Sequence, residues 1–393
     1  MELIVFYPMN IKTPTKEYKE EFFLGFLFSL HLLQFNQLSF WLFNIISPLL
    51  LLLIYKHNTL KADQLKIIVI FLTFLLWILL TGVLSQEPFN PLRKASEIFL
   101  CFLFLIGILL IISNNKKTVV FINGIIYSGI LISLYIILVG IRSSFEIDFS
   151  TTLVSKNPSG MHLVISGMAI IFLSTVKKIN LQYYFFYLII GFALILTLSL
   201  KSIIIYFMMT FFLFIRSNKK IHVLIGSMIL FIIFPILWPE YIFNFEESKN
   251  YYFVSNKFFA ALGYDTNTFA DNAVIVRQRL QQGALELFRE NPFFGIGLEN
   301  TRIYLGTYSH NNWIELLAGG GVLALVLFIL PIGYIFLAKH DTILASRKRF
   351  LLSILIVVAI LVFSQAQRIY DSKTFIILFS LLYLSTLKNL GNQ

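Results

Sequence analysis

The stretch LKIIVIFLTFLLWILLTGVL, residues 65–84, carries a single charge, Lys66, in twenty positions. A helix rises about 1.5 Å per residue, so this run spans about 30 Å, the thickness of a bilayer's hydrocarbon core. It reads as a membrane span, and the rest of the chain agrees. Of 393 residues, 58% are hydrophobic and 13% charged, where a soluble domain carries about 25% charged residues. That much apolar surface does not fit inside one soluble core. The expected fold is all-α: a polytopic membrane bundle of about twelve helices with one large, partly helical extracytoplasmic loop. The candidate spans are 21–35, 38–55, 65–84, 95–112, 118–140, 157–176, 181–197, 200–215, 221–238, 312–338, 350–366 and 373–388.

The charge distribution orients these spans. With the N-terminus inside, the inner segments gather more than half of the 31 basic residues but under a third of the 20 acidic ones. By the positive-inside rule both termini are expected in the cytoplasm. The net charge of +11 is therefore an orientation signal, and nucleic acid is not expected as a partner. The N-terminus has no clear cleavage site, so the first apolar run is expected to be retained. The one cysteine, Cys101, lies in an apolar run and is expected to serve packing, with no disulfide framework.

The expected organisation is nine spans over 1–238, a loop over 239–311 and three spans over 312–393. Long loops in compact proteins are usually functional or disordered, and this one is too rich in Tyr and Phe for a solvated tail. Its centre, 271–290, has Ala273, Val276, Leu280, Ala284 and Leu287 on one helical stripe. Pro292 and Gly295 should stop that helix, which is expected to lie over the outer mouth of the bundle. TLSLKS, 197–202, barely separates two runs, so 181–215 also reads as two short helices around a break that lines a polar cavity.

Cations on the expected outer side are Arg93, Arg142, Lys156, Lys201, Arg277, Arg279, Arg302 and Arg368. Arginine suits a phosphate because its planar fork donates paired, charge-assisted hydrogen bonds. Most such arginines would otherwise pair with Glu246, Glu247, Asp271, Glu286 or Glu290, or meet lipid headgroups. Arg277 and Arg279 stand about 200° apart around a helix, so both cannot enter one pocket. His310-Asn311-Asn312 opens the tenth run. A neutral imidazole accepts a proton near pH 7, while an asparagine there serves either as a helix cap or at an anion site. Glu315, close to the membrane surface, should face protein or a cavity. Gly319-Gly320-Gly321 is expected to permit close helix approach. His162 lies near the outer end of a span, and His31 is expected to be packed. No zinc, P-loop, dinucleotide or nucleophile-elbow motif is present, and no metal or cofactor is expected.

RQRLQQGALELFRENPFFGIG (277–297), followed by SHNNWIELLAGGG (309–321), resembles the O-antigen ligase and polymerase superfamily, membrane glycosyltransferases of the GT-C type. The family shows an arginine, an A-L-x-x-F helix, N-P-x-x-G-x-G and then H-N-x-x-L-x-x-L. The register matches Arg277. SKNPSG (155–160) and TLSLKS are weaker echoes. Gln281 stands where the family often has tryptophan, Gly319 where it often has glutamate, and Lys201 where it has arginine.

The resemblance implies an enzyme of the bacterial cytoplasmic membrane, its active site facing outward. It would move a glycan from an undecaprenyl diphosphate carrier to a lipid-linked repeat unit with inversion, without metal or cofactor. Arg277 and His310 would be the catalytic residues, with Arg142, Lys201, Asn311, Glu315 and Arg368 binding substrate. The expected partners are the polyprenyl-diphosphate-linked donor, a glycan or lipid-linked acceptor, membrane lipids and other polysaccharide-assembly proteins. A ligase that transfers finished polymer to a lipid core, a lipid-linked sugar flippase and a non-catalytic scaffold are the alternatives.

Overall fold

The computed structural model describes residues 19–30, 49, 52, 55, 59–142, 156–176, 180–197, 199–216, 269–339, 346–365 and 368–387. Among these the regular structure is all helical, without strands. The helices, numbered in chain order, are α1 (Lys19–Leu30), α2 (Ala62–Leu84), α3 (Phe89–Ile112), α4 (Asn115–Arg142), α5 (Lys156–Val176) and α6 (Leu181–Leu196). They continue as α7 (Leu200–Arg216), α8 (Phe269–Glu290), α9 (Thr301–Leu305), α10 (Asn312–Ala338), α11 (Arg347–Ser364) and α12 (Lys373–Ser385). Among the described residues, five stretches, Ala62–Leu84, Phe89–Ile112, Asn115–Gly140, Pro158–Val176 and Asn312–Ala338, are long and apolar enough to cross a membrane. α6, α7 and α12 are shorter apolar helices. The expected span at 38–55, apart from residues 49, 52 and 55, the expected span at 221–238 and loop residues 239–268 lie outside the described residues.

The decisive stretch forms α2. Its first turn is closed by the Lys61 backbone N–H donating to the Gln64 side chain at 2.8 Å. At the other end, Ser85 Oγ–H donates to the Gly82 carbonyl at 2.7 Å, and Pro88 precedes the next helix. Every third or fourth residue of α2 from Ile67 to Gly82 is buried, while Val69, Leu76, Leu80 and Val83 are exposed. Such an apolar outer face is what lipid rather than water would cover.

Two packing groups position the site. α5 is the hub of one, almost entirely buried and packed against α4, α6, α7, α11 and α12. Small residues let these helices approach: a side chain at Gly129 would run into Ser166, and one at Gly191 into Tyr206. Serines at the contacts satisfy themselves locally, as when Ser133 donates to the Gly129 carbonyl at 2.7 Å. In the second group α2, α10 and α12 share an aromatic cluster, with Phe328–Phe375 ring centroids 4.7 Å apart and Phe71–Phe379 5.2 Å apart. α3 packs against both α2 and α12. α8 lies along α10; of the expected stripe Ala284 is fully buried but Val276 is exposed, and the helix ends before Pro292 as its sequence predicts.

Candidate functional site

The site is built where α10 fails to be a continuous helix. Gly321 has φ 71° and ψ −175°, well outside helical geometry, although Pro331 lies within the same helix. A break frees backbone groups that lipid cannot satisfy, and the N-P-x-x-G-x-G loop supplies their partners. The Val322 N–H donates to the Pro292 carbonyl at 2.9 Å. In return, the Ile296 and Gly297 N–H groups donate to the Ala318 and Gly319 carbonyls at 2.9 and 2.8 Å. Trp77 of α2 donates its indole N–H to the Gly320 carbonyl at 2.8 Å, and its ring stacks on Phe294.

This revises the reading of the three glycines. At Gly319 and Gly321 what approaches is the loop, whereas at Gly320 it is Ile78 of the neighbouring helix α2, the close helix approach expected. A side chain at Gly321 would collide with the Phe293 carbonyl, and one at Gly319 would sit 2.9 Å from the Leu298 Cα. Gly319 stands where the family often has a carboxylate, and at this position the structure has no room for one.

The loop continues into a segment, 299–310, that is fixed at several points. Among the described residues, the two non-glycine residues with left-handed backbone are Glu299 (φ 70°) and His310 (φ 57°). Such conformations persist only where surrounding structure holds them. Glu315 does much of the holding: its carboxylate accepts from the Thr301 hydroxyl at 2.5 Å and the Ser309 backbone N–H at 3.0 Å. It is fully buried and faces protein. Asn311 is the cap of α10, its side-chain oxygen accepting from Trp313 and Ile314 N–H at 2.9 and 3.3 Å. Asn312 accepts from the Ile369 and Tyr370 N–H groups at 2.8 and 3.1 Å, tying the segment that bears Arg368 to the start of α10.

His310 is half-buried beside Tyr308, ring centroids 4.1 Å apart. Burial lowers its pKa from the ordinary 6.5, and Arg277, Arg368 and Lys201 lower it further. These residues come from α8, from the segment between α11 and α12, and from α7. Of the two loop-helix arginines, Arg277 is therefore one that acts on the histidine. Lys201 sits where the two weaker family echoes meet: a side chain at Gly160 would lie 2.6 Å from Ser202 Oγ and 3.0 Å from Ser199 Cβ. The side chain of Arg142, the remaining candidate, lies outside the described residues.

Among the described residues, the partner of Arg368 is not one of the carboxylates expected from sequence. It is Glu299, whose carboxylate also meets Lys94 at 3.1 Å and Arg302 at 2.7 Å. Lys94 in turn pairs with Glu97 and with Asp371, the latter at 2.7 Å. Burial works against the charge on Arg368, but Tyr370, Asp371 and Glu299 outweigh it and keep the guanidinium protonated. Burial likewise opposes the charge on Glu299, yet Arg368 and Lys94 hold its carboxyl below the usual range. Glu299, Lys94, Asp371 and Tyr308 were not legible as site residues. The available signal was charge at the edges of apolar runs, with Lys94–Glu97 and Glu299–Arg302 each three residues apart. Among the described residues no three His, Cys, Asp or Glu side chains gather as a metal set.

Residues 185–329 match a family model described as O-antigen ligase. The matched segment contains Lys201, Arg277, the N-P-x-x-G-x-G loop, His310 and the break in α10, and it supports the O-antigen ligase and polymerase superfamily read from the motifs. No curated protein matches the chain. Together with the apolar helices, this match points to a multi-pass membrane protein.

Proposed function

We propose that the protein is a membrane glycosyltransferase that moves a glycan from a polyprenyl diphosphate carrier to an acceptor hydroxyl at the outer face of the bacterial cytoplasmic membrane. The observation that carries this reading is the convergence of Arg277, Arg368 and Lys201, from three separate elements, on one half-buried histidine. In the proposed step the acceptor oxygen attacks the anomeric carbon from the side opposite the diphosphate. A carbon–oxygen bond to the acceptor forms, the one to the diphosphate breaks, and its electron pair leaves with the diphosphate. The acceptor's proton passes to the neutral imidazole of His310, a general-base role for which a group unprotonated at neutral pH is suited. Fixed cations meet the growing charge on the leaving group, an electrostatic contribution that needs no metal or cofactor in this reading. Arg277 is assigned the leading part, since Arg368 already shares its charge with Glu299. Asn311 and Glu315 are assigned to shaping the acceptor side by fixing the segment around His310.

The acceptor separates two versions of the reaction. A lipid-linked repeat unit makes the protein a polymerase, the version expected from its sequence. A finished polymer passed to a lipid core makes it a ligase, which the description of the matched family favours. Purified protein in lipid vesicles, given polyprenyl-diphosphate oligosaccharide, should release polyprenyl diphosphate. Lipid-linked ladders mark the polymerase, and transfer to an added lipid-core acceptor marks the ligase. Movement of intact donor across the bilayer would mark a flippase instead. Full consumption by both Arg277→Ala and His310→Ala would overturn the enzyme reading.

A further inference from the structure

Glu299 belongs to none of the matched motifs, yet the structure spends much on it. It is 1% exposed, adopts left-handed backbone, and sits one residue beyond Leu298, which packs under Gly319. A buried carboxylate with three cationic neighbours is a costly element unless the geometry it fixes is used. What it fixes can be followed residue by residue. Arg368, paired to Glu299, lies with its guanidinium carbon 4.7 Å from the Tyr308 ring centroid. The Tyr308 ring is in turn 4.1 Å from the imidazole of His310. Behind Arg368, the backbone N–H groups of Ile369 and Tyr370 are held by Asn312. Arg302 approaches the same tyrosine at 5.8 Å while pairing with the same glutamate.

We propose that Glu299 is a positioning residue of the transferase site: it holds Arg368 over the Tyr308 ring, and that stack sets the orientation of the His310 imidazole. The inference rests on the transferase reading above. Glu299 does not touch His310; it acts through two intervening side chains. A cation over an aromatic face is attracted by the ring's quadrupole, and the contact strengthens where water is excluded. Losing the carboxylate frees the guanidinium to leave the ring, and the ring then no longer backs the histidine. Misplacement of a reacting group by about 1 Å can cost roughly 100-fold in rate.

The test uses the full chain in lipid nanodiscs. Glu299→Gln and Tyr308→Leu are each expected to lower kcat about 10- to 100-fold while shifting the donor KM by less than about threefold, as loss of orientation rather than of binding requires. Because both act through one stack, the double variant should be no slower than the slower single one. Tyr308→Phe, which keeps the ring, should recover most of the loss. Multiplying effects, a loss confined to KM, or a folded Glu299→Gln with unchanged kcat would overturn the proposal. Should Glu299→Gln fail to fold, equal losses in Tyr308→Leu and Tyr308→Phe would overturn it instead.

A second readout is independent of turnover. With nitrogen-labelled histidine, the His310 resonance, assigned by its loss in His310→Gln, should move in both Glu299→Gln and Tyr308→Leu. A wild-type protein that consumes no donor would remove the transferase reading while this resonance still reported on the stack. An unmoved resonance in folded variants would remove the positioning role alone.

Discussion

The two halves of α10 have the same apolar look in sequence, yet only the second leaves a face exposed in the structure. Past the break, Val322, Val326, Ile329 and Leu330 are 41–49% exposed, the pattern of a helix face turned to lipid. Before it, Asn312, Glu315, Leu316, Ala318 and all three glycines are buried, covered by the docked loop, by α8 and by the segment bearing Arg368. One half is defined by what it leaves outside and the other by what is built onto it. A residue's weight should therefore depend on which side of Gly321 it occupies more than on its hydrophobicity.

The largest effects are expected at the head of the buried half. His310→Ala should lower kcat by about 10²- to 10⁴-fold, the usual worth of a positioned general base, with an unchanged melting temperature. Arg277→Ala should lower it by about 10²- to 10³-fold, as does removal of one group that stabilises developing charge. Arg279→Ala is the contrast, with an expected loss of less than about threefold, because only one of the two can face the pocket. Release of polyprenyl diphosphate from a labelled donor measures all three. Equal losses at 277 and 279 would mean that the helix contributes general positive charge and no directed contact.

The motifs that were legible in the sequence are local. The 65–84 run declares a span because length and apolarity suffice, and NPFFGIG with SHNN declares a turn and a cap within a few residues. Glu299, Lys94, Tyr308 and Asp371 are not local: they meet from α3, the loop and the segment before α12, and no spacing announces that. For Arg368 the sequence showed a cation but not the carboxylate facing it. The three glycines showed their small size but not that a loop's carbonyl would fill the space. Glu315 was legible as a carboxylate that must face protein, although its partners, Thr301 and Ser309, were not.

Next in size is the boundary itself. Gly321→Ala would put a side chain on a residue with φ 71° and drive it toward the Phe293 carbonyl. Left-handed strain and the collision together should cost about 2 kcal/mol or more. A lowered melting temperature in detergent, accompanied by loss of turnover, would show that loop docking and chemistry are coupled. Retained stability would mean that the loop is not seated by the break.

A smaller effect separates electrostatics from contact. His310 is held below its ordinary pKa of 6.5 by burial and then by Arg277, Arg368 and Lys201. A base must be unprotonated to act, so activity should be lost as pH falls through that lowered value, and the acid limb of kcat/KM should have its midpoint below 6.5. Arg277→Ala removes one depressing charge, so the residual activity should show a midpoint displaced upward, toward 6.5. An unmoved midpoint would cut the electrostatic link between the two residues.

The smallest effect is expected in the lipid-facing half. Leu330 is 44% exposed, and trimming it in water would remove apolar surface from the wrong side of a core. In a bilayer the comparison differs, because acyl chains are as apolar as leucine and fill the space that a shortened side chain leaves. Neither a cavity nor a loss of hydrophobic transfer follows, so Leu330→Ala should change stability by less than about 0.5 kcal/mol and leave donor consumption within about twofold. Melting in nanodiscs and the same release assay measure both. A loss as large as that from Gly321→Ala would show that this face is covered by protein, and that the division of α10 at the break does not hold.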